Sequence, residues 1–113
     1  MDDLKSPNIY ELKLYYKLDE NKNPVSVKNI HEMEWEKRDI LKTVLFNDDR
    51  KIFISTVFLG VDHRLELKGD PLLFETMIFG IENDEYQERC STYKEALIQH
   101  AEAVQHLVEI LTI

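Results

Sequence analysis

The sequence predicts an α+β fold: a mostly antiparallel sheet of about four to five strands, a long C-terminal helix packed on one face, and a short helix near the N-terminal third. Three observations carry this. Several short segments alternate apolar and polar residues with a period of two. The chain after Thr92 changes to helical spacing. The joints between segments gather the Asn, Asp, Gly and Pro residues that favour turns. The 113 residues suit one domain, residues 1–113, and a hydrophobic share of 43% with five Phe and five Tyr can bury one core.

Ile9 to Leu18 is the first strand, with Tyr10, Leu12, Leu14, Tyr16 and Leu18 on one face and Glu11, Lys13 and Lys17 on the other. Asp19 to Pro24 reads as a turn, and Val25 and Val27 as a short return strand. Asn29, with Glu32 three residues on, has the pattern of a capping box opening a short helix, whose inward side would carry Ile30, Met33 and Lys37. Ile40 to Phe46 and Lys51 to Leu59 are β-branched or aromatic, and the intervening Asn-Asp-Asp-Arg makes them a hairpin. Val61 to Pro71 is the least regular stretch. Leu72 to Phe79 is apolar on both faces apart from Glu75 and Thr76, which places it centrally in the sheet. Gly80 and Asn83-Asp84 turn it into a short strand at Tyr86 to Cys90. Thr92 and Glu95 form a second capping box, and Tyr93, Ala96, Leu97, His100, Val104, Leu107, Val108 and Leu111 make the apolar stripe of the last helix.

Composition restricts function. Acidic residues outnumber basic ones by 22 to 14, a net charge of −8. That argues against direct binding to nucleic acid, where Lys and Arg must neutralise phosphates. It leaves room for a partner whose basic surface normally holds nucleic acid, although acidity also serves plain solubility. No apolar run approaches the roughly 18–20 residues of a membrane span, and the acidic Met-Asp-Asp start lacks the pattern of a secretory leader. The single cysteine, Cys90, fits a reducing compartment, so a cytoplasmic location is expected. Phosphate-loop, His-Glu-x-x-His, Cys-x-x-Cys and Gly-x-Ser-x-Gly motifs are all missing, which weighs against catalysis; no cofactor is expected.

A few residues could carry chemistry. Asp62 and His63 follow Gly60 at a strand end, where a carboxylate beside an imidazole can bind a metal or cap a turn. Glu75 has the apolar alternation partners Leu73, Met77 and Phe79, so it needs a partner of its own: His63, a ligand, or Arg89 in a cross-strand ion pair. His100 lies on the helix stripe, either as a core histidine or converging with His63 and Glu75 in a two-His, one-carboxylate site. Cys90 precedes a helix N-terminus, which can lower a thiol pKa, but its setting reads as a small buried hydrophobe. Glu32, Glu36, Asp48, Asp49, Glu82, Asp84, Glu85 and Glu88 gather at turns and short elements, where they are solvated loops or one acidic interaction surface. Ile110 and Ile113 exceed the needs of one stripe and could form a homodimer contact through the last helix.

Three blocks, Ser55 to His63, Pro71 to Gly80 and Ser91 to Ala96, with Asn21 to Val25 ahead of them, resemble a family of small phage and prophage proteins. The resemblance covers most of the chain and implies a viral or mobile-element origin in bacteria, with no assigned chemistry. The chain departs from the pattern at Arg64 to Asp70, in place of a Gly-rich loop, and at Gln99, in place of a glycine. The function expected is a non-catalytic module that binds a bacterial host protein, of the anti-defence or host-takeover inhibitor type. The alternative is a small metal- or ligand-dependent enzyme using Asp62, His63, Glu75 and His100.

Overall fold

Backbone pairing divides the chain into two antiparallel sheets and one helix. The computed structural model describes residues 14–64, 68–82 and 85–112. A small sheet pairs β1 (Tyr15–Leu18) with β2 (Pro24–Val27). The main sheet has the order β3-β4-β5-β6, with β3 at Asp39–Asn47, β4 at Arg50–Phe58, β5 at Phe74–Phe79 and β6 at Gln87–Cys90, all neighbours antiparallel. Helix α1 (Tyr93–Leu111) covers one face of that sheet. The predicted part of the first strand from Ile9 to Lys13 lies outside the described residues, as do Asp84 and Ile113.

Local chemistry accounts for the joints. Asp48, in the left-handed region at φ 59°, makes the two-residue turn between β3 and β4, a conformation Asp tolerates because its short polar side chain bonds locally. Thr92 caps α1: its side chain accepts from the Glu95 amide at 3.1 Å, and Glu95 Oε1 accepts from the Thr92 and Ser91 amides. The small sheet is anchored beyond the end of β4, where the Tyr16 amide donates to the Gly60 carbonyl at 2.7 Å and the Asp62 amide to that of Leu14 at 3.0 Å.

The predicted short helix is replaced by two 3₁₀ turns, Ile30–Glu32 and Trp35–Lys37. Asn29 does cap the first, accepting from the His31 amide, but its amide group bonds the Glu32 carboxylate side chain to side chain. Only Met33 is buried here; Ile30, Trp35 and Lys37 are exposed. A segment offering one apolar anchor cannot repay the nucleation cost of an α-helix, so it turns tightly instead.

The face of the sheet toward α1 holds two apolar clusters. Tyr16, Phe58, Leu73, Phe74 and Ala96 form one, near the start of the helix; Ile52, Ile54, Ile78, Ala103 and Leu107 form the other, near its end. Ala96 and Ala103 are fully buried, small residues that let α1 lie close on the strands. Leu97 and Val108, expected on the buried stripe, are 36% and 43% exposed: the contact strip is narrower than the apolar spacing suggested.

Candidate functional site

The four residues proposed as a ligand set do not meet. Burial alternates along β5, with Phe74, Thr76 and Ile78 under the helix and Glu75, Met77 and Phe79 on the opposite face. His100 is on the helix, so Glu75 and His100 are separated by the thickness of the sheet. Asp62 and His63 lie beyond the end of β4. Among the described residues no group of three or more His, Cys, Asp or Glu side chains is placed to hold a metal ion.

Each of the four is instead held by bonds to its own surroundings. Asp62 Oδ1 accepts from the backbone amides of Arg64 and Leu72 at 3.0 and 3.1 Å, while Oδ2 accepts from Arg64 Nε at 2.7 Å. Burial pushes its carboxyl pKa upward, but the Arg64 guanidinium and the two amides outweigh this and hold it below the ordinary aspartate value. His63 Nδ1–H donates to the Val61 carbonyl at 2.7 Å, fixing the ring over its own turn. Glu75 and Arg89 are register partners across β5 and β6 and form an ion pair at 2.9 Å, with Gln87 donating to the same carboxylate oxygen.

His100 belongs to a buried polar layer between the two apolar clusters. Its Nε2 lies 2.8 Å from Thr43 Oγ1 and its Nδ1 2.7 Å from Thr56 Oγ1. Thr56 and Thr76 face each other across β4 and β5, their hydroxyls 2.7 Å apart, and Gln99 Nε2 donates to Thr76 Oγ1 and to the Glu88 carbonyl. One consistent assignment uses every group: Gln99 donates to Thr76, Thr76 to Thr56, Thr56 to His100 Nδ1, and His100 Nε2–H to Thr43. This chain needs a neutral imidazole. Burial favours the same form and lowers the His100 pKa. Thr56 and Thr76 are fully buried, so the centre of the layer is closed to solutes, while Thr43 at its outer end is half-buried. Its sequence signal was the position of two threonines at the inward parity of strands otherwise filled by Ile and Phe.

Cys90 packs against the first apolar cluster, and burial, with the Glu95 carboxylate nearby, pushes its thiol up to about 11. The helix N-terminus does not activate it.

The acidic residues divide between two ends of the sheet. Asp48 and Asp49 in the β3–β4 turn share one end with Glu82 and Glu85 in the β5–β6 connection, because Phe53 of β4 is paired with Phe79 at the close of β5. Glu32 and Glu36 precede β3 and so stand at the far end, about 30 Å away for a nine-residue strand. Glu88 is exposed on β6. They do not form one surface. Beside Glu34, a cleft of about 400 Å³ between the β1–β2 hairpin and the 3₁₀ turns is lined by Lys17, Lys22 and Lys37 but equally by Asp19, Glu20 and Glu34. Its charges balance, with Asp19 capping the amides of Asn21 and Asn23 and Glu34 paired with Lys37.

The feature left without an internal explanation is the sheet face turned away from α1. Phe53 and Phe79 stack there with centroids 4.8 Å apart, and the ammonium of Lys42 sits 4.6 Å from the Phe53 ring centre, that of Lys51 5.8 Å. Val44 and Phe46 continue the patch on β3, where Phe46 is 73% exposed, and Met77 fills the middle on β5. No element of the described chain covers this face. No helix among the described residues is long and apolar enough to cross a membrane. Compared with known protein families, curated proteins and solved structures, the chain matches none.

Proposed function

We propose that this protein is a non-catalytic binding module that acts on another protein, an accessory factor of phage or prophage type directed at a protein of the bacterial host. The observation that carries the reading is the aromatic face of the sheet that no described element covers, since contiguous apolar surface rimmed by charge marks interaction sites. Val44, Phe46, Phe53, Met77 and Phe79 supply the apolar centre, Lys42 and Lys51 the cationic margin, and Asp48 and Asp49 an acidic corner beside Phe46. Aromatic anchors in such a setting dominate binding energy at protein interfaces. The residues suited to chemistry support the same reading, because Asp62, Glu75 and His100 are each committed to bonds that hold the fold. The resemblance in sequence supplies the mobile-element origin, and an inhibitor of a host defence or nucleic-acid enzyme suits it.

The test is a paired affinity capture from bacterial lysate with the native chain and Phe79→Ser. The expected result is a host protein retained by the native chain and lost with the variant, both chains melting cooperatively. Equal retention by the two would remove the sheet face as the contact surface.

A further inference from the structure

We propose that the outer edge of β3 is a self-association edge, pairing antiparallel with β3 of a second copy to join two four-stranded sheets into one of eight strands. The sheet ends in two unlike edges. β6 is short, four residues, and Gln99 reaches over from α1 to bond the Glu88 carbonyl. β3 is nine residues long, and no described hydrogen bond reaches the outward backbone groups of Leu41 to Phe46. An edge of that length templates another strand unless something blunts it. Blunting devices are sparse here. The register shift lies at the start of the strand, between Asp39 and Leu41; Pro is absent; and Lys42 is the one charged side chain from Ile40 to Phe46.

The occupant that fits is a second copy, because β3 is complementary to itself. A twofold axis through Thr43 sets Leu41 against the partner's Leu45 and Lys42 against the partner's Val44; the register shift between Asp39 and Leu41 ends the regular pairing there, and Ile40 packs instead on the first apolar cluster under α1. Apolar side chains then meet apolar ones, the stem of Lys42 lies along valine, and no charge opposes its like. Residues of equal parity pair, so both α1 helices stay on one side of the joined sheet and both aromatic faces on the other. Helix α1 lies chiefly over β4, β5 and β6 and leaves Leu41, 41% exposed, clear for the contact. Val44, 41% exposed, would lie against the stem of the partner's Lys42 at the margin of the aromatic face, which stays open. This goes beyond the binding reading and stands without it.

The experiment is sedimentation equilibrium of the full chain from micromolar to millimolar concentration, beside Val44→Lys and Ile110→Asp. The first variant places a second ammonium opposite the partner's Lys42 on an exposed position outside the core. The native chain is expected at twice the chain mass, and Val44→Lys to weaken the dimer by roughly tenfold or more, while Ile110→Asp leaves it intact. Hydrogen exchange gives an independent readout: alternate β3 amides should be protected in the native dimer and exposed in Val44→Lys, with β4 and β5 amides unchanged. A native chain that stays at single-chain mass overturns the proposal. So does a dimer indifferent to Val44→Lys, or one dissolved by Ile110→Asp, which would move the contact to the helix. Host capture is read with the Phe79 variant and self-association with the Val44 variant, so either reading can fail alone.

Discussion

At the scale of single residues, the decisive atoms are the hydroxyls of Thr56 and Thr76. Each sits at a position that alternation reserves for an apolar side chain, and each is tied into a chain of donors ending on His100 and Thr43. Replacing Thr56 by valine keeps the shape but strands the imidazole Nδ1 and the Thr76 O–H, whose oxygen still accepts from Gln99, in the buried centre of the layer. A buried polar group left without a partner costs about 1–3 kcal/mol. Thr56→Val should therefore lower the unfolding free energy measured in urea by that amount, whereas Thr43→Val should cost less, because Thr43 is half-buried at the sheet edge and water can replace its oxygen. Equal losses from the two would show that the chain of bonds is not closed at its centre. His100 was legible from sequence as a histidine on an apolar stripe. Its bonding was not, because the partners sit on two strands far along the chain and only their register brings them together.

At the scale of elements, turns and caps were readable because their chemistry is local. Thr92 with Glu95 and the Asp48-Asp49 turn need no tertiary information. The segment around Ile30 to Lys37 was misread because capping chemistry sets where a helix can begin, while burial of a face decides whether it persists. Gly80 illustrates how tightly the elements meet. It has φ 100°, and a β-carbon there would stand 2.5 Å from the Lys51 carbonyl oxygen and 3.1 Å from Ile52 Cα, both backbone atoms that cannot rotate aside. Gly69, at φ 73°, has nothing within 4 Å of the same position. Gly80→Ala should thus lower stability by well over about 1 kcal/mol, and Gly69→Ala by only the strain of its conformation, roughly 1–2 kcal/mol. Thermal melts of the two variants compare them directly, and a smaller loss at Gly80 would count against this packing.

At the scale of the whole molecule, stability should fall with acid in two stages. His100 has a folded pKa below its ordinary value near 6.5. The unfolded chain therefore takes up a proton first, and stability is full above that value and declines as pH drops toward the folded pKa, by at most about 1.4 kcal/mol per pH unit. Asp62 also has a lowered pKa, but as a carboxylate its contribution is present above the ordinary aspartate value and disappears as pH falls through the folded one. The first decline should vanish in His100→Gln and the second in Asp62→Asn, measured as unfolding free energy across pH. A profile unchanged by either variant would contradict these assignments. The overall architecture was legible because sheet and helix periodicities are strong, but a ligand set was not, since alternation puts Glu75 and the helix-facing residues on opposite sides of one strand layer.

The helix carries alanines seven residues apart, Ala96 and Ala103, each pressed into an oily patch. Were the space between those patches oily as well, α1 could slide two turns, about 10.5 Å, and dock almost as comfortably. The imidazole and carboxamide between them act as a key in a slot: shifted along the strands, they would meet isoleucine or phenylalanine and find no mate. What looks like a soft spot in the interior is thus the notch that gives the helix a single seat.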